Sequence, residues 1–294
     1  MLQRLMRIAA AALALQVTAA MSSSAVAVTP GDGVEARSIA GAEAPLVIAH
    51  RGAAQHAPEN TLAAVDAAHR RGLVWVENDV QRTEDGQLIV IHDTTLKRTT
   101  DAEKVFPDRA PWRVGDFTAA EIARLDAGSW FGKRFAGERV PTLASFLRRL
   151  DRNGQRLLLE IKAPRRYPGI EAQIVRELRA QGWLDRAHVR SRLVVQSFCV
   201  PCIKRVHELA PEVRTGILVR TEILGVPEVD ELERYARFAD QINPRISALS
   251  SRWVEAVHRL RGAHGRPLEI YAWDVGEDGS PRAASMSRIE GIIA

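Results

Sequence analysis

The sequence is poor in cysteine, lacks a basic block and shows no internal repeat. Its two cysteines are too few for a zinc site without histidines close by. No basic run is interleaved with aromatic residues, so the net charge of +5 over 294 residues does not indicate a nucleic-acid partner. No feature indicates an obligate protein partner either. The one strong change in composition lies near the N-terminus.

No apolar run is long enough to cross a membrane. The longest, residues 8–21, is shorter than the roughly 20 residues that a spanning helix needs and contains two polar residues. Two arginines precede it and Ala25-Val26-Ala27 offers a small-x-small cleavage site, which predicts a signal peptide over residues 1–27. We therefore expect export to the periplasm or the extracellular space, a flexible leader over residues 28–44, and no stable membrane span after cleavage.

Short apolar runs alternate with helical patterns from residue 45 to 294, which is typical of parallel βα units. About 250 residues suit two domains or a single α/β barrel. Nine candidate strands exceed the eight of a barrel by one, and the short run 240–242 is the first candidate for an edge or loop segment. The candidate strands are 46–49, 74–80, 88–91, 157–161, 193–196, 215–219, 240–242, 269–273 and 291–293, and the candidate helices are 61–71, 143–152, 170–181, 201–209, 229–238 and 252–261.

The alternation breaks down between residues 94 and 141, where proline, glycine and aromatic residues accumulate. A bare loop of this length is uncommon in a compact domain. The stretch therefore predicts a small subdomain or lid over the site, with plain core packing between strand and helix as the alternative.

Charged side chains follow the ends of the candidate strands. The C-terminal ends of parallel barrel strands face the catalytic mouth. Residues two apart on a strand share a side, which pairs Glu77 with Asp79 and Glu160 with Lys162. Carboxylates that face the same way repel unless a cation lies between them, so Glu77, Asp79 and Glu160 predict a divalent metal site. An exposed strand face is the alternative, which the apolar neighbours of the pair disfavour.

Two histidines and an arginine complete this inventory. His50 and Arg51 follow the first candidate strand, and His92 follows the third. Chemistry on a phosphate ester needs carboxylates for a cation, an arginine for the anion, and imidazoles that exchange protons near neutral pH. The residues therefore favour hydrolysis of a phosphate ester.

The segments together resemble the glycerophosphodiester phosphodiesterase family. Many segments match in order and at the right spacing, and those in the 94–141 stretch are similar to the exported bacterial branch. The matching segments include His50-Arg51-Gly52, Pro58-Glu59-Asn60-Thr61, Glu77-Asn78-Asp79, Thr83-x-Asp85-Gly86, His92-Asp93, Phe106-Pro107-x-Arg109, Gly128-Ser129-Trp130-Phe131, Glu160-Ile161-Lys162, Gln196-Ser197-Phe198 and Tyr271-Ala272-Trp273.

This resemblance implies an α/β fold, a distorted TIM (β/α)8 barrel with a small insertion subdomain after the third strand. It implies hydrolysis of small glycerophosphodiesters, such as glycerophosphocholine or glycerophosphoethanolamine, to glycerol 3-phosphate and an alcohol. One divalent cation is implied; Ca²⁺ is favoured for an exported enzyme, and Mg²⁺ fits the same side chains. The implied roles are metal ligands for Glu77, Asp79 and Glu160, general acid and base in either order for His50 and His92, and phosphate binding for Arg51 and Lys162.

Several further positions keep two interpretations. Asn60 either caps the helix at 61–71 or steadies substrate or a ligand, and Phe198 and Trp273 either line the glycerol or alcohol pocket or belong to the core. Asp93 is expected to have a structural hydrogen-bonding role. The sequence departs from the family after Trp273, where Asp274-Val275-Gly276 replaces Thr-Val-Asn, and it stops at Ala294, where the family's last strand usually runs on.

Other functions remain open at this stage. They are a phospholipase D-type enzyme acting on intact lipids, a phosphodiesterase acting on glycerol phosphate polymers of cell walls, and a catalytically inactive binding protein. Cys199 and Cys202 form a CxxC motif, for which a local disulfide or two small buried thiols is favoured over a redox function.

Overall fold

The computed structural model describes residues 45–221, 225–273 and 289–294. The predicted signal peptide, the predicted leader and the segment Asp274-Val275-Gly276 lie outside these residues. Among the residues described, no helix combines the length and the apolar character that a membrane span requires.

The architecture is a nearly closed barrel of eight parallel strands surrounded by helices, as predicted. Neighbours in the barrel follow the order β7-β6-β5-β4-β2-β1-β9-β8, and parallel bridges from Gln241 to Glu269 and from Arg245 to Trp273 link its two ends. The strands are β1 (Leu46–Ala49), β2 (Trp75–Arg82), β3 (Leu88–Val90), β4 (Arg156–Ile161), β5 (Leu193–Ser197), β6 (Arg214–Val219), β7 (Gln241–Pro244), β8 (Tyr271–Trp273) and β9 (Gly291–Ile293).

The six predicted helices lie close to their predicted ranges, and the described residues contain three further short helices that were not predicted. Helix α4 shows why: its residues Leu143, Phe146, Leu147 and Leu150 recur at three- and four-residue spacing and are all buried. Thr142 caps its first turn, and Gly154 ends it in the left-handed conformation. The helices are α1 (Leu62–Arg70), α2 (Ala102–Val105), α3 (Ala119–Ile122), α4 (Leu143–Asn153), α5 (Ile170–Ala180), α6 (Arg186–Ser191), α7 (Val200–Leu209), α8 (Val229–Tyr235) and α9 (Ser251–His258).

The strand that lies outside the eight-stranded barrel is β3. The expectation that 240–242 is an edge or loop segment was therefore wrong. β7 pairs in parallel with β6 inside the barrel, whereas β3 pairs antiparallel with the end of β2. The physical reason is the length of the connection: parallel pairing needs a crossover of a dozen or more residues, and only residues 83–87 separate β2 from β3. Gly86, at a φ of +82°, makes the turn possible.

The apolar core has separate layers. Inside the barrel, Ile48, Trp75, Leu158, Val194, Tyr271 and Ile293 form one cluster, and larger clusters lie between strands and helices. The 94–141 segment has its own cluster, in which Phe117, Ile122 and Leu125 pack with Ile89 and Ile91. This segment therefore has a small apolar cluster of its own, which packs on β3.

Candidate active site

Three neighbouring strands bring the predicted site residues together. Glu77 and Asp79 share one face of β2, and Asp79 is in register with Glu160 on β4. His50 and Arg51 directly follow β1, which pairs with the other edge of β2. The site thus lies at the C-terminal ends of β1, β2 and β4, where parallel barrels carry their reactive groups.

The three carboxylates form one buried cluster. Oxygen atoms of Glu77, Asp79 and Glu160 lie within 4.8 Å of one another, and the residues are 1%, 1% and 6% exposed. Burial, together with the charge of Asp79, raises the pKa of Glu77 well above its usual value. Burial also raises the pKa of Glu160, to about 7. Burial alone would raise the pKa of Asp79, but Lys162, His92 and Arg51 hold it well below its usual range.

The chemistry of this cluster fits a divalent cation. Carboxylate oxygens are the preferred ligands of Ca²⁺ and Mg²⁺. Asp79 Oδ1 is buried and accepts no hydrogen bond from the described residues, although Lys162 Nζ lies 3.3 Å away. An oxygen of this kind, beside two carboxylates with raised pKa values, is a ready ligand atom.

Arg51 and Lys162 place positive charge at the edge of the cluster. Lys162 Nζ lies 3.0 Å from Glu160 Oε1, and Arg51 Nε lies 3.6 Å from Asp79 Oδ2. The peptide N–H of Arg51 donates to Glu77 Oε2 at 2.8 Å. This geometry depends on a tight turn after β1, with Arg51 at φ 55° and Gly52 at φ 81°. A Cβ on Gly52 would lie 2.7 Å from the Ala64 Cβ, so only glycine fits there.

His50 lies beside Arg51 at the same strand end. Burial is the main cause that lowers its pKa to about 4, and the charge of Arg51 adds to the effect. The imidazole is therefore neutral near pH 7 and able to accept a proton.

His92 belongs to a chain of charged contacts. His92 Nδ1 lies 2.7 Å from Asp93 Oδ1. Asp93 thus makes a hydrogen bond, in agreement with the structural hydrogen-bonding role expected for it. Arg98 donates to Asp93 Oδ2 at 2.7 Å and to Glu59 Oε2 at 2.7 Å, and Glu59 accepts from Arg51 at 3.0 Å. The chain therefore connects the Arg51 side of the site with the His92 side.

Sequence reasoning missed Arg98 and Gln81, and it assigned no role to Glu59. Gln81 Nε2 lies 2.7 to 3.1 Å from the carbonyl oxygens of Ile91, His92 and Asp93, and Tyr167 donates to its Oε1 at 3.0 Å. Gln81 continues the alternation of Glu77 and Asp79, and this spacing was the available signal. The sequence around Arg98 carries no such signal, since its partner Glu59 is 39 residues away in the sequence.

Asn60 is not the cap of α1. Thr61 is the N-cap residue, and its hydroxyl accepts from the Ala64 peptide N–H. Asn60 lies one residue earlier at a left-handed φ of 58°, and both of its polar atoms bind Asp79. Of the two predicted interpretations, the one in which Asn60 steadies a ligand agrees with these contacts.

Phe198 and Trp273 form an aromatic pair at the ends of β5 and β8. Their ring centroids lie 5.6 Å apart at 87°, and both residues are partly exposed. Phe198 lines an open cleft of about 830 Å³ together with Glu160 and Lys162. The cleft therefore runs from the carboxylate cluster to the aromatic pair. Its rim carries Cys199, which forms a disulfide with Cys202 as one of the structural interpretations predicted.

Comparisons with known proteins agree with this site. Residues 50–293 match the model of the glycerophosphoryl diester phosphodiesterase family. A glycerophosphodiester phosphodiesterase of Bacillus subtilis is 31% identical over 252 residues, which cover 83% of this chain and 82% of the relative.

Two solved structures are similar over most of the chain. One is a glycerophosphodiester phosphodiesterase from Agrobacterium tumefaciens, with 29% identity and a TM-score of 0.63, covering 85% of this chain and 95% of that one. The other is a phosphodiesterase from Oleispira antarctica in complex with its product sn-glycerol-3-phosphate, with 26% identity and a TM-score of 0.66, covering 85% and 92%.

Proposed function

Since the chain belongs to the glycerophosphodiester phosphodiesterase family and is an enzyme of that class, we propose that it cleaves small glycerophosphodiesters to glycerol 3-phosphate and an alcohol with one divalent cation and two histidines. The observation that carries this proposal is the buried cluster of Glu77, Asp79 and Glu160, whose oxygens lie within 4.8 Å of one another. Three buried carboxylates with His50 and Arg51 beside them are the groups that phosphate chemistry needs. A binding protein would have no need for this set.

Glu77, Asp79 and Glu160 would hold the cation. When bound, it offsets the negative charge of the phosphate and polarises a phosphoryl oxygen. Arg51 and Lys162 add two positive charges within 4 Å of the carboxylates. Their role is to hold the anionic diester next to the cluster and to stabilise the charge that grows in the transition state. Ca²⁺ is the favoured ion and Mg²⁺ the alternative.

The two histidines take opposite proton-transfer roles in this proposal. His50, with a pKa of about 4, is neutral and accepts the proton of the attacking water or of the neighbouring glycerol hydroxyl. The new bond forms between that oxygen and phosphorus as the bond to the departing alcohol breaks. Attack by water gives glycerol 3-phosphate directly, whereas attack by the glycerol hydroxyl gives a cyclic phosphate that a water molecule then opens to glycerol 3-phosphate. Burial lowers the pKa of His92 below its usual value, and the charge of Asp79 and the hydrogen bond to Asp93 partly offset this; the protonated form gives its proton to the departing alkoxide.

The test is release of glycerol 3-phosphate from glycerophosphocholine, with EDTA, Ca²⁺ and Mg²⁺ arms. His50→Ala and His92→Ala are the test variants. His69→Ala is the matched control, because His69 is exposed in the last turn of α1. Metal-dependent release that only the two test variants lose is the expected result. No release by a folded protein under any of these metals would contradict the proposal and leave intact lipids, wall polymers or a binding role.

Export is a second proposal, which rests on the sequence pattern of residues 1–27 alone. Expression of the full chain in a bacterial host, followed by fractionation and N-terminal sequencing, tests it. We expect an N-terminus near residue 28 in the exported fraction. An intact Met1 on protein that stays in the cytoplasm would contradict export.

A further inference from the structure

The cleft beside the carboxylate cluster has a strongly positive wall. It begins at Glu160 and Lys162, and its outer part is lined by Arg165, Arg166 and Arg220. Glu160 is the only carboxylate among the lining residues that the structure describes. Because the proposed function assigns Glu160 to the cation, every other charged group described in this wall is a cation.

The three arginines have no carboxylate partner within the described ranges of the chain. Arg165 and Arg166 lie on the single turn Pro164–Arg166, two residues beyond Lys162, and both are exposed. Among the residues that the structure describes, no acid neutralises the positive charge that they bring to the cleft.

Arg220 stands on the opposite side of the cleft, after β6. Its guanidinium lies 4.6 Å from the centroid of the Phe198 ring, and Phe198 in turn packs against Trp273. Stacking on an aromatic face restrains the guanidinium and leaves its in-plane N–H groups available to an anion. The positive end of the ten-residue helix α7 meets the cleft at Val200 and favours negative charge there as well.

We propose that this cleft is a subsite for a negatively charged group on the alcohol part of the substrate. The inference rests on the proposed function, since it concerns which diesters the same site takes. The glycerol part of a glycerophosphodiester carries no charge, so the arginines act on the alcohol part. An alcohol that bears a second phosphate is attracted to the cleft, whereas choline brings a positive charge toward Lys162 and three arginines.

The shared chemistry of the preferred substrates is a glycerol that carries a further phosphodiester. Two sources offer it: a fully deacylated phospholipid with two phosphates, and a short oligomer of glycerol phosphate. Bis(glycerophospho)glycerol represents the first source, and a chemically prepared glycerol phosphate trimer represents the second. The subsite accepts both in this proposal, because the arginines recognise the second phosphate rather than the rest of the molecule.

The first measurement compares kcat/KM, per cleavable bond, for four diesters: bis(glycerophospho)glycerol, the glycerol phosphate trimer, glycerophosphoglycerol and glycerophosphocholine. The first and third differ by one glycerophosphate group. We expect kcat/KM about tenfold higher for bis(glycerophospho)glycerol and the trimer, which carry more than one phosphate, than for glycerophosphoglycerol, and lowest for glycerophosphocholine, with differences that shrink at high salt. Equal values for all four, or the highest value for glycerophosphocholine, would overturn the subsite.

The second measurement uses variants of the wall. Arg220→Gln, and Arg165→Gln combined with Arg166→Gln, should each lower kcat/KM for bis(glycerophospho)glycerol and the trimer by about three- to tenfold and leave kcat/KM for glycerophosphoglycerol within about twofold. Arg152→Gln is the matched control, since Arg152 is exposed in the last turn of α4, just before the start of β4 and so at the opposite end of the barrel. Equal losses on every diester would contradict a role in recognising the second phosphate.

Binding separates failure of this inference from failure of the proposed function. Calorimetry with His92→Ala measures the affinity for bis(glycerophospho)glycerol and for glycerophosphoglycerol without turnover. If the wild type cleaves no diester but this variant binds the doubly charged one about tenfold more tightly, the subsite stands and the proposed reaction falls. If the wild type cleaves all the diesters without ranking them, the reaction stands and the subsite falls.

Discussion

Asn60 and Asp79 bind each other through two hydrogen bonds. Asn60 Nδ2 donates to Asp79 Oδ2 at 2.8 Å, and the Asp79 peptide N–H donates to Asn60 Oδ1 at 3.3 Å. The amide thus fixes both the strand end and the carboxylate, while Asp79 Oδ1 accepts no hydrogen bond from the described residues. Asn60 thus fixes the orientation of Asp79, as residues that hydrogen-bond to a metal ligand commonly do.

Replacing Asn60 by glycine should weaken divalent-cation binding by about 10- to 100-fold. Glycine tolerates the φ of 58°, so the change removes the amide without straining the backbone. Calorimetric titration with Ca²⁺ and Mg²⁺ gives the affinity, and thermal unfolding of the metal-free variant shows that the fold is kept. Unchanged affinity would mean that Asp79 needs no support from Asn60.

Cation affinity should rise with pH. A cation binds the ionised form of Glu160, whose pKa burial raises to about 7, so protons compete with the cation below that value. We expect the apparent affinity to increase about tenfold from pH 6 to pH 8, with net release of protons that calorimetry in different buffers detects. Affinity independent of pH, without proton release, would contradict the raised pKa.

The same shift predicts how the stability of the metal-free protein changes with pH. The folded pKa of Glu160 lies above its usual value, so the folded state holds its proton when the unfolded state has lost it. The contribution of Glu160 to the free energy of unfolding is therefore present below about pH 4.5 and lost as pH rises through about 7. Glu160→Gln should remove this part of the pH dependence in urea unfolding.

Asp93→Asn should shift the alkaline limb of the kcat profile to lower pH. The hydrogen bond from His92 to Asp93 raises the pKa of His92, which burial otherwise lowers. Loss of the negative charge lowers the pKa of His92, so the proton donor is lost at a lower pH. Asp185→Asn, at an exposed position that contacts His188, is the matched control. An unmoved alkaline limb would argue that His92 is not the proton donor.

Arg98→Gln should lower kcat by about tenfold and leave KM for glycerophosphoglycerol within about twofold, because the arginine connects Glu59 to Asp93 without lining the cleft. Glu59→Gln breaks the same chain, so the effects of the two substitutions should be strongly non-additive. Arg98→Lys keeps the charge but loses the two-pronged contact and should not rescue. Additive effects would mean that the chain does not act as a unit.

Asn78→Leu should stabilise the protein by about 1–3 kcal/mol without lowering kcat. The amide is fully buried on the face of β2 that also carries Val76 and Val80, and neither of its polar atoms has a hydrogen-bond partner among the described residues. Urea unfolding measures the change, with Asn78→Ala as the variant that removes the amide but leaves a void. A less stable Asn78→Leu would show that the amide is satisfied in solution.

The sequence could predict that the carboxylates of the cluster lie together, because their positions follow from local rules. Glu77 and Asp79 share a face by the two-residue period of a strand, and strand ends place them at the mouth. Contacts between distant segments escaped prediction: nothing near Arg98 indicates Glu59, 39 residues away. β7 was misjudged because its candidate run, 240–242, is short, whereas the strand continues through Asn243, which is buried and donates to Gln196 Oε1.

Two sets of residues in the barrel come from different parts of the chain. The proposed metal ligands, both histidines and the two phosphate-holding cations come from residues 50–162, whereas Phe198, Trp273 and the three cleft arginines follow Lys162 in the chain. Under these proposals, substitutions after Lys162 alter which alcohol is recognised while the reacting groups stay unchanged. Preference for the alcohol and the rate of the chemical step can then be varied separately by substitution in this chain.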